Sequence, residues 1–339
     1  MRQLLLLCGL AMAGPLQAQG AGKPIIDMHL HARPANYFGA NPPPMCAPFT
    51  VMPRSDPKSG IIEGMEFNGP PCAQPIPAAM SDEAVLGETV AAMEKLNIYG
   101  VVSGEPAMIA AWSARAPRRF LPAIDYRLPG TSGKSRIAPK SIEELRDLHR
   151  RGQLTVIGEI IAQYEGVRPD DPRLEPLWAL AEELDVPVAI HMGNGGPGEP
   201  YSGGGYRVAF GNPLLLEPVL ARHPKLRISV MHAGYPLADS MRAMMFNYPQ
   251  IYVDIGTIVY AEPRKAFYSY LRELVEAGYG DRIMFGSDQM IWPGVIGPSV
   301  RAIEDAPFLS EKQKRDIFYN NAARFLRLPK EQIAKHHRR

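Results

Sequence analysis

Cysteine is scarce in this chain, with three residues in 339. Cys8 lies in the apolar stretch at the N-terminus, which leaves Cys46 and Cys72 beyond it. No other cysteine or histidine lies near that pair, which argues against a metal site there. In an oxidising compartment the pair is expected to form a disulfide; two free loop thiols are the alternative. A one-sided charge is also lacking: 37 Lys and Arg oppose 35 Asp and Glu, for a net charge of +2. No polybasic surface argues for a nucleic-acid partner. Long hydrophobic runs are absent after Leu4–Ala13, and that run is too short to cross a membrane as a helix. No family-type internal repeat is found. The first strand-like segment is not followed by a Gly-rich nucleotide turn, which disfavours an open, doubly wound, nucleotide-binding sheet.

At the N-terminus, Arg2 precedes the apolar run, Gly14 and Pro15 break it, and Leu16-Gln17-Ala18 supplies small residues at cleavage positions. This is the order of a secretory signal peptide, expected over residues 1–18 with cleavage after Ala18. The mature chain, 19–339, is expected to be a soluble, exported single domain, periplasmic if the source is bacterial. The tail Lys335-His336-His337-Arg338-Arg339 reads as a frayed, solvated end. The composition, 46% hydrophobic and 21% charged, is that of a globular enzyme.

Eight strand-like runs recur: Ile25–His31, Tyr99–Ser103, Arg119–Asp125, Leu154–Ile161, Val186–His191, Leu226–His232, Gln250–Gly256 and Arg282–Asp288. Segments of helical periodicity separate them, among them Ala84–Leu96, Ile142–Arg150, Leu174–Leu184, Pro213–Arg222, Pro236–Phe246 and Arg264–Ala277. Strands alternating with helices predict parallel pairing through right-handed crossovers. Eight such units predict an α/β fold of the (β/α)8 barrel type. Residues 34–77 break the alternation with Pro, Gly and both mature cysteines. This long insertion follows the first strand, so it is expected to be a disulfide-stapled lid over the barrel face that carries the chemistry. Ser310–Leu326 is expected to close the chain as a helix capped by Ser310.

His29 and His31 stand two apart on a strand, so both point to one face. His191, His232 and Asp288 each end another apolar run. Barrel enzymes build their sites from residues at that edge of several strands. Imidazoles and a carboxylate gathered there suit a divalent metal, zinc first, with iron, manganese and cobalt as alternatives. Glu159 lies in the strand-like Val156–Ile161, where a buried charge needs a partner. That partner is either a metal, with Glu159 as the bridge to a second ion, or a rim Arg or Lys.

Taken together, Asp27-Met28-His29-Leu30-His31, His191-Met192-Gly193, His232-Ala233-Gly234 and Gly286-Ser287-Asp288 resemble the amidohydrolase superfamily. The branch most similar is the amidohydrolase-related (amidohydrolase 2) group, which contains lactonases and nonoxidative decarboxylases. The closing Asn320-Asn321-Ala322-Ala323-Arg324-Phe325-Leu326 resembles that group's terminal helix. The resemblance implies a distorted barrel with His29, His31, His191 and Asp288 as metal ligands. It places His232 where members bind a second metal or polarise substrate. Glu159 resembles instead the glutamate of the TatD-type deoxyribonucleases, which hold two ions.

The expected activity is hydrolysis of a small organic ester, lactone or amide by a metal-activated water. Asp288 would carry the proton, and the metal or His232 would polarise the carbonyl. A nonoxidative decarboxylase is the alternative, and a non-catalytic metal-binding secreted protein is a third reading. Arg33, Asn194, Arg207 and Trp292 are the candidate substrate contacts, with Tyr164, Tyr206 and Arg168 nearby. Loop arginines of this kind also serve in salt bridges or solvent. The expected partner is a small molecule; no nucleic acid or membrane is expected for the mature chain, and a homo-oligomer is left open.

Overall fold

Each β-branched run becomes a strand because its side chains pack on both faces of a sheet. In the computed structural model the strands are β1 (Ile25–Ala32), β2 (Ile98–Gly104), β3 (Phe120–Tyr126) and β4 (Val156–Ile160). They continue as β5 (Val188–His191), β6 (Ile228–Met231), β7 (Ile251–Asp254) and β8 (Ile283–Met284). The structure describes residues 22–56, 58, 65–66, 72–131 and 136–338. The expected signal segment 1–18 and the middle of the insertion lie outside the described residues.

The eight strands are parallel and neighbour one another in chain order. The last is joined to the first by two backbone bonds: Met28 N–H to the Phe285 carbonyl (2.9 Å) and Asp288 N–H to the His29 carbonyl (2.7 Å). The result is the expected (β/α)8 barrel. Its helices are α1 (Asp82–Lys95), α2 (Pro106–Arg115), α3 (Ile142–Arg150), α4 (Glu175–Glu183), α5 (Glu217–Arg222), α6 (Ala238–Asn247), α7 (Arg264–Leu274) and α8 (Ile296–Glu304). Local sequence starts several of them. The Ser81 hydroxyl accepts from Ala84 N–H, and Ser141 and Ser310 form reciprocal capping boxes with Glu144 and Gln313. No helix among the described residues is long and apolar enough to cross a membrane.

Ile26, Met28, Val101, Ala123, Val156, Ala189, Met231 and Met284 form one cluster with Tyr319, Ala322, Ala323 and Phe325. These strand residues fill the barrel interior, and the C-terminal segment closes its floor. That segment is capped by Ser310, as expected, and runs through Phe325.

Two expectations change. β8 is a strand only over Ile283–Met284, because the chain beyond it bonds instead to β1 through Phe285 and Asp288. The tail is not frayed: Lys330–His337 is a helix, and His336 is buried. Its ring stacks 3.7 Å from that of Tyr99, and its Nδ1 lies 2.9 Å from the Tyr319 hydroxyl. Aromatic contact and a buried hydrogen bond hold it where composition suggested solvation.

Cys46 and Cys72 are joined by a disulfide within the insertion. The Phe49 N–H bonds the Ala261 carbonyl, Ala79 N–H bonds the Ile291 carbonyl, and Trp292 Nε1 donates to the Pro43 carbonyl. The insertion is thus tied to the loops that follow β7 and β8.

Asn321 donates from Nδ2 to the carbonyls of Gly280 (2.9 Å) and Ile283 (2.7 Å), pinning the terminal segment to the start of β8. Asn321→Ala leaves those carbonyls unpaired in a buried setting. It is expected to cost about 2–4 kcal/mol, read from urea unfolding. A change within 0.5 kcal/mol would show the contact to be incidental.

Candidate metal centre

Three strand pairings lose register where the polar residues sit. β1 shifts against β2 between Asp27 and Leu30, β3 against β4 between Ile124 and Tyr126, and β4 against β5 between Ile157 and Ile160. A bulge of this kind re-aims a side chain. Ile26 and Met28 already face the barrel interior, so strict alternation would turn His29 and His31 outward. The shift resets the phase, and their Nε2 atoms converge to 3.1 Å.

Six of the expected ligands meet at the C-terminal mouth of the barrel. Asp288 Oδ1 lies 3.2 Å from His31 Nε2 and 3.5 Å from His29 Nε2. Glu159 reaches across the site, with Oε2 3.5 Å from His31 Nε2 and Oε1 2.9 Å from His191 Nδ1. His232 Nε2 lies 3.0 Å from His191 Nδ1. Glu159 makes no ion pair with Arg or Lys among the described residues; its partners are these imidazoles. Three overlapping groups have ligand atoms close enough to share an ion: His29, His31 and Glu159; His29, His232 and Asp288; and Glu159, His191 and His232.

Each imidazole is oriented from behind. His29 Nδ1 donates to Asp254 Oδ1 at 3.1 Å, His232 Nδ1 to the Gly256 carbonyl at 2.9 Å, and His191 Nε2 to the Asn194 carbonyl at 3.1 Å. Carboxylates and carbonyls only accept, so the outer nitrogen of each carries the proton. In its neutral form each ring then turns its lone pair inward. His31 Nδ1 lies 2.8 Å from the Ser103 hydroxyl and 3.7 Å from Asp125 Oδ1. Gly256 permits the His29–Asp254 contact, since a Cβ there would fall 2.5 Å from His29 Nδ1.

This donor set fits a divalent cation. Ring nitrogens facing each other at 3.0–3.1 Å need a proton or a cation between them. Asp288 Oδ1 is buried and turned to His31 and His29, while the Thr257 hydroxyl donates to Oδ2 of the same carboxylate. Burial disfavours a charge on His29, yet Asp288 and Asp254 outweigh it and push the ring up to about 10. Burial also opposes ionisation of Asp288, but His29 and His31 hold it well below the usual carboxylate range. Glu159 is held low against burial in the same way, chiefly by His191. His232 is pushed down to about 4 by burial and by His191 and His29, so it stays neutral. Nitrogen and carboxylate ligands of this kind suit zinc and its neighbours.

The candidate substrate residues lie in four settings. Arg33 is buried, pairs with Asp125, and packs its guanidinium 4.7 Å from the Tyr37 ring centre. Asn194 is exposed beside His191, and its N–H donates to the Tyr235 carbonyl. Arg207 is exposed and donates to the carbonyls of Tyr206 and Gly205. Trp292 is buried, stacks on Phe38 and anchors the insertion through Pro43. Of the nearby residues, Tyr164 packs edge-on against His191, while Arg168 pairs with Asp170 on the surface. Burial, and then Glu159 and Glu199, raise the Tyr164 phenol well above its ordinary range.

Sequence reasoning missed Asp125, Asp254, Ser103 and Thr257. Asp125 and Asp254 stand near the ends of strand-like runs, the same signal that marked Asp288. Ser103 and Thr257 have no such signal, because a hydroxyl near a strand end is common.

Asp254→Ala is expected to weaken metal binding about 10- to 100-fold, measured by chelator competition. Binding must displace the His29 proton, because its raised value of about 10 leaves the ring charged at neutral pH. Apparent affinity therefore rises with pH up to that value and falls in acid. Titration calorimetry in buffers of different protonation enthalpy reads the proton release directly; none at pH 7 would contradict this assignment.

The family model Amidohydrolase matches residues 26–328. Among solved structures, an uncharacterized TIM-barrel protein from Bordetella bronchiseptica is 20% identical, with a TM-score of 0.55, and the match covers 76% of this chain and 87% of that one. A probable 2-pyrone-4,6-dicarboxylic acid hydrolase from Acinetobacter baumannii is 13% identical, with a TM-score of 0.56 and coverage of 90% and 99%. Among curated proteins, Protein fluG of Emericella nidulans is 27% identical over 95 residues, 28% of this chain. The match spans only 11% of that protein's length. The barrel, the converging histidines and the family match agree: the chain is an enzyme and belongs to the Amidohydrolase family.

Proposed function

We propose that this enzyme is a metal-dependent hydrolase that cleaves a small organic ester, lactone or amide. The observation that carries this reading is Asp288. One oxygen is fixed by the Thr257 hydroxyl, and the other is buried and turned to the imidazoles. A carboxylate so placed can accept a proton from an attacking water and return it to the leaving oxygen or nitrogen.

His29, His31, His191, His232, Glu159 and Asp288 would hold the metal, expected to be zinc. A bound divalent ion would lower the pKa of water toward neutrality and draw charge from a carbonyl oxygen. Asp254 and the Gly256 and Asn194 carbonyls hold the outer nitrogens of His29, His232 and His191, so the other nitrogen of each ring faces the site. Arg33, its charge matched by Asp125, holds the back of His31 rather than standing free in the mouth. The insertion, tied to the loops after β7 and β8, would limit entry of bulk water. Export, expected from the N-terminus, agrees with the Cys46–Cys72 disulfide, which persists in oxidising compartments.

The test uses metal-loaded protein with p-nitrophenyl acetate, γ-butyrolactone and a panel of aromatic carboxylates. Hydrolysis that falls about 10²- to 10⁴-fold in Asp288→Asn supports the reading. Carbon dioxide release from the carboxylates, without hydrolysis, would replace it with a carboxy-lyase.

Glu159 links two of the ligand groups, so a protein that binds two ions is expected to lose one in Glu159→Gln. Elemental mass spectrometry of both proteins gives the count. Unchanged stoichiometry would assign Glu159 a role outside the metal shell.

A further inference from the structure

One aromatic hydroxyl at the mouth is left without a partner. After β4 the chain enters a short turn, Ala162–Glu165, that lies against the loop following β5. The turn places the Tyr164 ring edge-on to His191, with centroids 4.6 Å apart, and 5.5 Å from the ring of Tyr206. Its neighbours are engaged. Gln163 donates to the Gly193 carbonyl at 2.8 Å, Glu165 pairs with Arg127, and the Tyr206 hydroxyl receives the Gly195 N–H. Tyr164 is half-buried at the mouth, and its hydroxyl makes no hydrogen bond to a described residue. The ring is packed against His191 while its hydroxyl, held by no described residue, is open to a ligand in the mouth.

We propose that Tyr164 is a catalytic residue whose hydroxyl donates a hydrogen bond to the substrate's carbonyl oxygen as that oxygen takes up negative charge. This rests on the hydrolase reading above. A water oxygen attacks the carbonyl carbon, and the C=O π pair moves onto the carbonyl oxygen. The water proton goes to Asp288. The oxygen pair then re-forms the C=O bond, the C–O or C–N bond breaks, and Asp288 returns the proton to the departing atom. Water, acid and alcohol or amine balance, and Tyr164 keeps its proton throughout. Its bond to the oxygen is strongest at the tetrahedral stage, so it acts on kcat more than on KM. Tyr164 therefore selects a substrate with an sp² carbonyl that becomes an oxyanion.

The test is Tyr164→Phe, which keeps the ring against His191. Both proteins are loaded with zinc and compared for metal content, turnover of p-nitrophenyl acetate and γ-butyrolactone, and calorimetric affinity for O-ethyl methylphosphonate, a stable tetrahedral anion. The expected result is unchanged metal content, kcat lowered about 10²- to 10³-fold with KM altered far less, and phosphonate affinity lowered at least about tenfold. Equal phosphonate affinity overturns the proposal, as does an unchanged kcat. Loss of metal from the variant overturns it too, because Tyr164 would then act only as a support for His191. Failure of the wild type to turn over either substrate would sink the hydrolase reading separately, and the phosphonate comparison would still decide whether Tyr164 serves an oxyanion.

Discussion

Electron pairs that converge in a buried space repel, and the mouth of this barrel gathers them from six side chains. His29 and His31, and likewise His191 and His232, bring nitrogens to about 3 Å, with Glu159 between the two pairs and Asp288 at one side. In a medium of low polarity such an assembly is costly unless a cation balances it. The surrounding features follow from that constraint. Asp254, the Gly256 carbonyl and the Asn194 carbonyl hold protons on the outer nitrogens, and Thr257 occupies only one oxygen of Asp288. The inward-facing atoms stay available as ligands.

The backbone is bent to serve this arrangement. Register breaks in β1, β3 and β4 fall at or beside His29, Asp125 and Glu159. His232, Thr257 and Asp288 take positive φ angles of 55°, 56° and 51°, a region that non-glycine residues rarely adopt. Strain of this kind persists where the rest of the fold over-determines the geometry, and it gathers at functional sites. Here the over-determination comes from the barrel. Its interior is packed below the site, and the terminal segment closes the floor. The Arg33–Asp125 pair belongs to the same support. A buried guanidinium needs a carboxylate, and this one secures the outer side of His31.

Much of the site was legible because metal ligands in a barrel share one address, the C-terminal end of an apolar run. His29, His31, His191, His232 and Asp288 carry that signature, Glu159 stands out instead as a charge within a strand-like run, and the six meet in the structure. Asp125 and Asp254 carry it as well, but in sequence nothing separates a ligand from a carboxylate that orients one. The loop arginines were harder to read. Arg33 follows the first motif directly, yet whether its charge is free or paired depends on Asp125, 92 residues away. Trp292 is similar: its indole N–H meets the Pro43 carbonyl in the insertion, a contact with no local trace. The tail shows the opposite limit. Its charged composition predicts solvation, but His336 finds Tyr99 and Tyr319 on other elements.

By itself the sequence indicated the barrel, favoured the disulfide and singled out the candidate ligands, because periodicity, cysteine content and strand-end position are local properties of the chain. Tertiary structure alone decided which way those ligands point. The alternation that carries Ile26 and Met28 inward would carry His29 outward, and only the bulge within the β1–β2 pairing reverses it. It also decided that Glu159 stands between two imidazole pairs and that the Tyr164 hydroxyl is left unbonded beside His191. Register and side-chain direction depend on pairing between distant strands, and no window of sequence contains both partners.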